Sequence, residues 1–422
     1  MRRILRSKAT LVLMGTLIGF FTAELLTRLI LPQIGWKQFK YDLLGWASKE
    51  YINFDPLNDN TPRNVKRVMV LGDSFLAGSG VSNLNQRFPV VLEKKYPSRI
   101  KVQILAAGAW GTDQELLAFI RKGRLWKPNL VIVAFCATND LSDILNNIIW
   151  NGTVGKSYFT VDKSGNLKLF NPQGIIIGDT RDNFNPQKHR RIFQSYFLDL
   201  LRYVSYDRKM QYYRAQREKE HNMPIMAHKH NGFTILGDFT EEIDEEKTEF
   251  TWPIQNYATK SSAYIHEDFK VNRYQWKLLE SILGKFKQET DSIGAYLVVM
   301  PLPVQEKVSD LRFVTGGEVK LRIRTPAGSF TFRVNEPVDR LKAICKRKGI
   351  NLFDPTKEFV KIVEDRDLFL KCYPPDQDRY HFSYVAHEIL AELLQKYLLR
   401  HPEFLKRQST KLSDRKNYLY QN

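Results

Sequence analysis

The stretch KRVMVLGDS, residues 66–74, decides the fold. Val68 to Leu71 are apolar on both faces, as a strand in a parallel sheet covered by helices on both sides requires. The run ends on Gly72, Asp73 and Ser74, a turn signal. A serine between a buried strand and a helix has two readings. It caps backbone N–H groups at the helix start, or it is a nucleophile set at the edge of a sheet. The rest of the chain has to decide between them.

Working outward, the same rhythm repeats. RFPVVLEKKY (87–96) reads as a helix, and KVQILAAG (101–108) as a second strand. TDQELLAFIRKGRLW (112–126) reads as a helix in which Thr112 and Glu115 fit a capping box. NLVIVAFCATND (129–140) is a third strand, and AYLVVMPLP (295–303) and INLFDPT (350–356) supply two more. The expected fold is α/β, an open, doubly wound, mostly parallel sheet of five strands. GGEVKLRIRTPAGSFTFRV (316–334) alternates as a hairpin does. The rhythm breaks between about 144 and 265, where an aromatic and basic helical stretch (190–220) and the acidic run EEIDEEKTE (241–249) interrupt it. That insertion fits a lid, a binding subdomain or a partner face.

The chain has 422 residues, room for one large domain or two ordinary ones. Lys and Arg outnumber Asp and Glu by 64 to 46, and the net charge of +18 favours anionic lipid, nucleic acid or acidic polysaccharide. Without zinc-finger spacing or compact interleaving of basic and aromatic residues, nucleic acid is not the expected partner. The three cysteines, Cys136, Cys345 and Cys372, are too few for a disulfide framework, although one bridge with one thiol left over stays open.

Four basic residues in MRRILRSK precede the 22-residue apolar run Thr10–Leu31. At 1.5 Å per residue, such a run crosses a hydrocarbon core of about 30 Å. Glu24 and Arg28 interrupt it at i,i+4, a spacing that lets them pair. With no small-x-small cleavage site after Phe20, the run reads as an uncleaved anchor rather than a secretory signal. The basic end stays cytoplasmic, so residues from about 33 onward fall on the far side. The expected organisation is a basic N-terminus at 1–9, an anchor at 10–31 and a stalk or packed lead-in at 32–64. The α/β domain follows at 65–400, carrying the 144–265 insertion, and then a basic tail at 401–422.

In open α/β sheets, ligands sit beyond the carboxyl ends of the strands. Ser74 follows the first strand, Gly108 and Gly111 the second, and Asn139 the third. Asp378 and His381 lie just before a last apolar helix, with Ile389, Leu390, Leu393 and Leu394. The i,i+3 spacing of an acid and an imidazole suits a pair that works together, although Asp376 also lies near enough for the carboxylate role. A serine needs an adjacent base: His381 would take its proton, and Asp378 would hold the imidazole tautomer. The Ser74 N–H, a glycine N–H from 108–111 and the Asn139 amide are the donors available to a developing oxyanion. His228 and His230 of HKH have no third ligand at convincing spacing, so neither a metal nor a cofactor is expected.

These blocks resemble the SGNH or GDSL hydrolases, a family of esterases, lipases, deacetylases and some O-acyltransferases. GDS at 72–74 matches the first block, with the nucleophile on Ser74. ATND at 137–140 matches the Gly-x-Asn-Asp block and puts the oxyanion Asn on Asn139. DRYH at 378–381 matches Asp-x-x-His. AAGAWG at 106–111 corresponds to Asn-x-Gly-x-x-Gly, which puts the oxyanion glycine on Gly111, or on Gly108 if the loop is shorter. Ala106 and Ala137 depart from the family pattern.

The resemblance covers about 65–142 and 290–399. It implies a serine-dependent esterase or deacylase working through an acyl-Ser74 intermediate on an acylated small molecule or cell-envelope polysaccharide. The same residues would serve an O-acyltransferase. A non-catalytic glycan-binding or scaffold protein on the same fold is the reading from another class. The expected location is a single-pass membrane protein with its domain in the bacterial periplasm or at the cell surface, with an envelope protein as a further expected partner.

Overall fold

The computed structural model describes residues 2–30, 44, 47–62, 64–96, 99–137, 139–144, 148–149, 154–162, 165–170, 176–179, 197, 226–227, 234–235, 262–267, 270–303, 320–325, 328–333, 335–372 and 381–406. Its centre is a five-stranded sheet built from β1 (Lys66–Gly72), β2 (Ile100–Ala106), β3 (Leu130–Phe135), β4 (Tyr296–Pro301) and β5 (Asn351–Leu352), in the order β5-β4-β3-β1-β2. Every pairing in it is parallel. These are the five strands legible in the sequence.

Alternation along each strand splits the core into two layers. Met69, Leu71, Leu105, Val131, Val133, Leu297 and Val299 face one side. There they pack on α1 (Thr112–Arg121), α2 (Lys270–Ser292) and α3 (Glu336–Lys348), through residues such as Leu116, Phe119, Ile282, Phe286 and Leu341. Val68, Val70, Ile104, Ile132, Val298 and Met300 face the other. Their cover is the helix Phe88–Lys95, the helix Thr356–Asp365 and the last helix, Tyr384–Arg400. Because both faces are buried, β3 is apolar and buried at all six positions.

The helix from Thr112 is capped differently from the sequence expectation. Its N-cap is Gly111, and Gln114 Oε1, not Glu115, accepts the Gly111 N–H at 3.3 Å. The Thr112–Glu115 capping box does not form, because both side chains turn into the protein and are fully buried. The lead-in is packed rather than free: Leu44 and Tyr51 join the core, and Tyr51 meets Trp110 edge-on at 5.6 Å between ring centroids.

The insertion contains a three-stranded antiparallel meander, Tyr158–Val161, Leu167–Phe170 and Ile176–Asp179. The predicted hairpin is present as Lys320–Thr325 paired with Gly328–Arg333. The helical stretch at 190–220, apart from Phe197, and the acidic run lie outside the described residues. At the N-terminus, Lys8–Ile30 lies in a helix long and apolar enough to cross a membrane. Glu24 and Arg28 pair along it at 2.5 Å, as their spacing implies.

Candidate active site

The carboxyl ends of the adjacent strands β3, β1 and β2 come level, with Gly72 beside Ala106 and Leu71 beside Val133. Each strand releases its chain into a turn at the same edge. After β1 that turn is the single helical turn Ser74–Ala77, and its N-cap is Asp73, whose Oδ1 accepts the Phe75 N–H at 2.9 Å. The capping role considered for Ser74 is therefore filled by its neighbour. The Ser74 hydroxyl instead sits 2.7 Å from Nε2 of His381. At this distance serine and imidazole share a hydrogen bond, the arrangement a base needs to accept the serine proton.

His381 is held from two sides. The Phe75 ring lies 4.8 Å from the imidazole between centroids, and the same ring meets Phe382 edge-on at 4.8 Å. The backbone at Gly80 also abuts this segment: a Cβ there would stand 2.2 Å from the Phe382 carbonyl oxygen and 2.9 Å from Cβ of His381. Only glycine fits at that point. Sequence reasoning passed over Gly80 because a close approach between segments 300 residues apart leaves no local signal. Asp378 and Asp376 lie outside the described residues.

After β3, Asn139 starts the turn into the short helix Asp140–Asp143. Its Nδ2 donates to Asp73 Oδ2 at 2.8 Å, which fixes the amide across the strand gap. Asp140 accepts the Cys136 N–H at 3.0 Å, the local acceptor role its position suggests.

After β2, the loop 107–111 runs past Ser74. Gly108 lies close to it, since a Cβ there would lie 4.0 Å from Cβ of Ser74. Gly111 is further along and committed elsewhere, its N–H bound by Gln114 and its Cα side packed on Asp113 and Asp143. Ala109, between the two glycines, holds φ at 57°, a left-handed conformation that costs a non-glycine residue energy and concentrates at functional sites.

Beneath these turns lies a group of buried acids. Asp73, Asp113, Glu115 and Asp140 are all fully buried. Burial raises the pKa of each, and the mutual proximity of Asp73, Asp113 and Glu115 lifts Glu115 further. Lys156, from the insertion and also fully buried, offsets the rise at Asp113 and Glu115. Among the described residues, no group of three or more His, Cys, Asp or Glu side chains could hold a metal ion. Cys136, Cys345 and Cys372 are buried and form no disulfide.

No protein-family model matches the chain. No curated protein matches it either. Among solved structures, it is similar to a crystal structure of TesA at 10% identity and a TM-score of 0.35, over 79% of this chain and 98% of that one. It is also similar to LAE5, described as an alpha/beta hydrolase enzyme from the metagenome of Lake Arreo, Spain, at 11% identity and a TM-score of 0.34, over 80% and 96% of the two chains. Likenesses this distant carry no argument about what the chain does.

Proposed function

We propose that the chain is a membrane-anchored serine esterase or deacylase of the SGNH type, acting outside the cytoplasm on an acylated envelope substrate. The observation that carries this reading is the 2.7 Å contact between Ser74 Oγ and His381 Nε2 at the carboxyl edge of a parallel sheet. Ser74 Oγ attacks the ester carbonyl as its proton passes to His381 Nε2. Asp378, three residues earlier in the chain, is the proposed partner of the other ring nitrogen. The tetrahedral oxyanion is met by the Ser74 N–H, a glycine N–H of the 108–111 loop and the Asn139 amide.

Of the two glycines, Gly108 is the one beside the nucleophile, its Cβ position 4.0 Å from Cβ of Ser74. Collapse of the intermediate breaks the ester C–O bond, and the leaving alcohol takes the proton from His381. Water, activated by the same imidazole, then releases the acid and restores Ser74. Transfer to a sugar hydroxyl in place of water needs no other residue, so acceptor chemistry separates deacylase from O-acyltransferase.

The apolar helix supports attachment to a membrane, and the basic residues ahead of it favour an N-terminus on the cytoplasmic side. The +18 charge suits an acidic polysaccharide. The test is release of p-nitrophenol from p-nitrophenyl acetate by the full chain in detergent, beside Ser74→Ala, with and without a glycan acceptor. Hydrolysis that vanishes in Ser74→Ala supports the reading, and an acylated glycan product moves it to transfer. Equal rates in both proteins, or no hydrolysis together with no labelling of Ser74 by a phosphonate probe, would overturn it in favour of a scaffold.

A further inference from the structure

We infer that Lys156, contributed by the insertion, is a positioning residue that clamps the loop 107–111 to the Asn139–Asp143 turn and so sets the oxyanion donors. The inference rests on the esterase reading only for its kinetic consequence. The geometry itself is independent of it.

The Lys156 ammonium has three N–H donors and three acceptors within reach. These are Asp113 Oδ1 and Oδ2, each at 2.8 Å, and the Asp143 carbonyl oxygen at 2.6 Å. Asp113 belongs to the first turn of the helix that ends the 107–111 loop, and Asp143 closes the turn that begins at Asn139. One side chain therefore bridges both elements from below. Lys156 and Asp113 have no exposed side-chain surface, so water does not weaken the pair.

The two elements also touch directly. A Cβ on Gly111 would meet Cβ of Asp143 at 3.0 Å and its carbonyl carbon at 3.1 Å. The Asp143 N–H in turn donates to the Asn139 carbonyl at 2.8 Å, so a shift at Asp143 is passed to Asn139. The insertion thus reaches the site through Lys156, just before the meander begins at Tyr158.

A clamp and a neutralising counter-charge make different predictions. Lys156→Met alone strands the Asp113 carboxylate and is expected to lower stability under either role. Lys156→Met combined with Asp113→Asn removes the stranded charge and restores stability, but it does not restore the bridge. For the full chain in detergent, the clamp predicts a double variant with a melting temperature near wild type. It also predicts amide exchange at least about tenfold faster in peptides covering 107–111 and 139–144. Ester hydrolysis should fall about 100-fold in kcat with KM within about threefold, the scale of a misplaced reacting geometry.

Wild-type exchange in both loops, or a kcat that recovers with the melting temperature, would overturn the clamp. Loops that loosen in the double variant of a protein whose wild type neither hydrolyses the ester nor is labelled at Ser74 would uphold the clamp and sink the esterase reading.

Discussion

Gly80 and Phe382, 302 positions apart, approach so closely that a single methyl group on Gly80 would stand 2.2 Å from the Phe382 carbonyl oxygen. The neighbour that must give way is backbone, and it carries His381. Gly80→Ala is therefore expected to push the His381 segment outward and break its 2.7 Å contact with Ser74. A displacement of about 1 Å typically costs about 100-fold in rate. The check is kcat for p-nitrophenyl acetate hydrolysis in Gly80→Ala, with Ser79→Ala as the neighbouring control. A Gly80→Ala rate within twofold of wild type would show that the loop absorbs the methyl without moving the imidazole.

Asp73 supplies the second positional control. Its Oδ1 holds the Phe75 N–H and its Oδ2 holds the Asn139 amide. In Asp73→Asn the oxygen can remain on Phe75, which places the new amide nitrogen opposite the Asn139 nitrogen, donor against donor. Asn139 then rotates away from the oxyanion position. Loss of one such donor lowers kcat by roughly 100- to 1,000-fold. Expected kinetics are a fall of that order in kcat with KM little changed, measured beside Asn139→Ala. The double variant should be no slower than the worse single one, because both changes remove the same donor. Multiplying effects would mean that Asp73 acts on something other than Asn139.

How much of this was legible in the sequence follows from where each signal lies. The five strands were readable because runs such as LVIVAF announce burial on both faces, and burial is recorded residue by residue along the chain. Ser74 and His381 were readable as separate signals, a polar break after a strand and a histidine just before an apolar helix. Their contact belongs to the fold. The capping box failed for a physical reason: Thr112 and Glu115 have the right chemistry and spacing, but tertiary packing drew both inward and left Gly111 as the cap. Lys156 and Gly80 were invisible because their partners are remote in the chain, Asp113 for Lys156 and Phe382 for Gly80. Asp378, the remaining candidate, lies outside the described residues.

His387 sets the acid limit of stability. It is buried on the last helix, and its Nδ1 accepts the Phe88 N–H at 3.2 Å, which commits the ring to a neutral tautomer. Burial, helped by the charge of Arg87, lowers its pKa from 6.5 to about 3. The sign follows: folding favours the neutral ring, so its contribution is complete above 6.5 and is lost as pH falls from there towards 3. Each pH unit in that window costs about 1.4 kcal/mol. His387→Asn, which keeps an acceptor for Phe88, should be less stable than wild type at pH 7.5 and should close the gap as pH drops to 4. Melting temperatures across that range are the measurement. A constant gap would show that His387 does not carry the acid limb.

Glu115 acts in the opposite direction and limits stability towards alkaline pH. It is fully buried beside the oxyanion loop, and among the described residues neither carboxylate oxygen finds a hydrogen-bond donor. Burial first, then the charges of Asp73 and Asp113, raise its pKa well above the usual 4.5, while Lys156 opposes the rise. Folding therefore favours the protonated acid. Its contribution is complete below 4.5 and is lost as pH rises through the elevated folded value. Glu115→Gln replaces the acid with a neutral group of the same shape and removes that loss. The variant should match wild type near pH 4.5 and melt at a higher temperature at pH 8. Part of the wild-type slope should persist through Asp140, which burial and its neighbours Glu115 and Asp73 raise in the same way. Melting curves at half-unit steps from pH 4.5 to 8.5 decide it. Parallel curves for the two proteins would mean that Glu115 ionises in the folded state as readily as in the unfolded chain, and that the acids beneath Ser74 are solvated in a way their burial does not suggest.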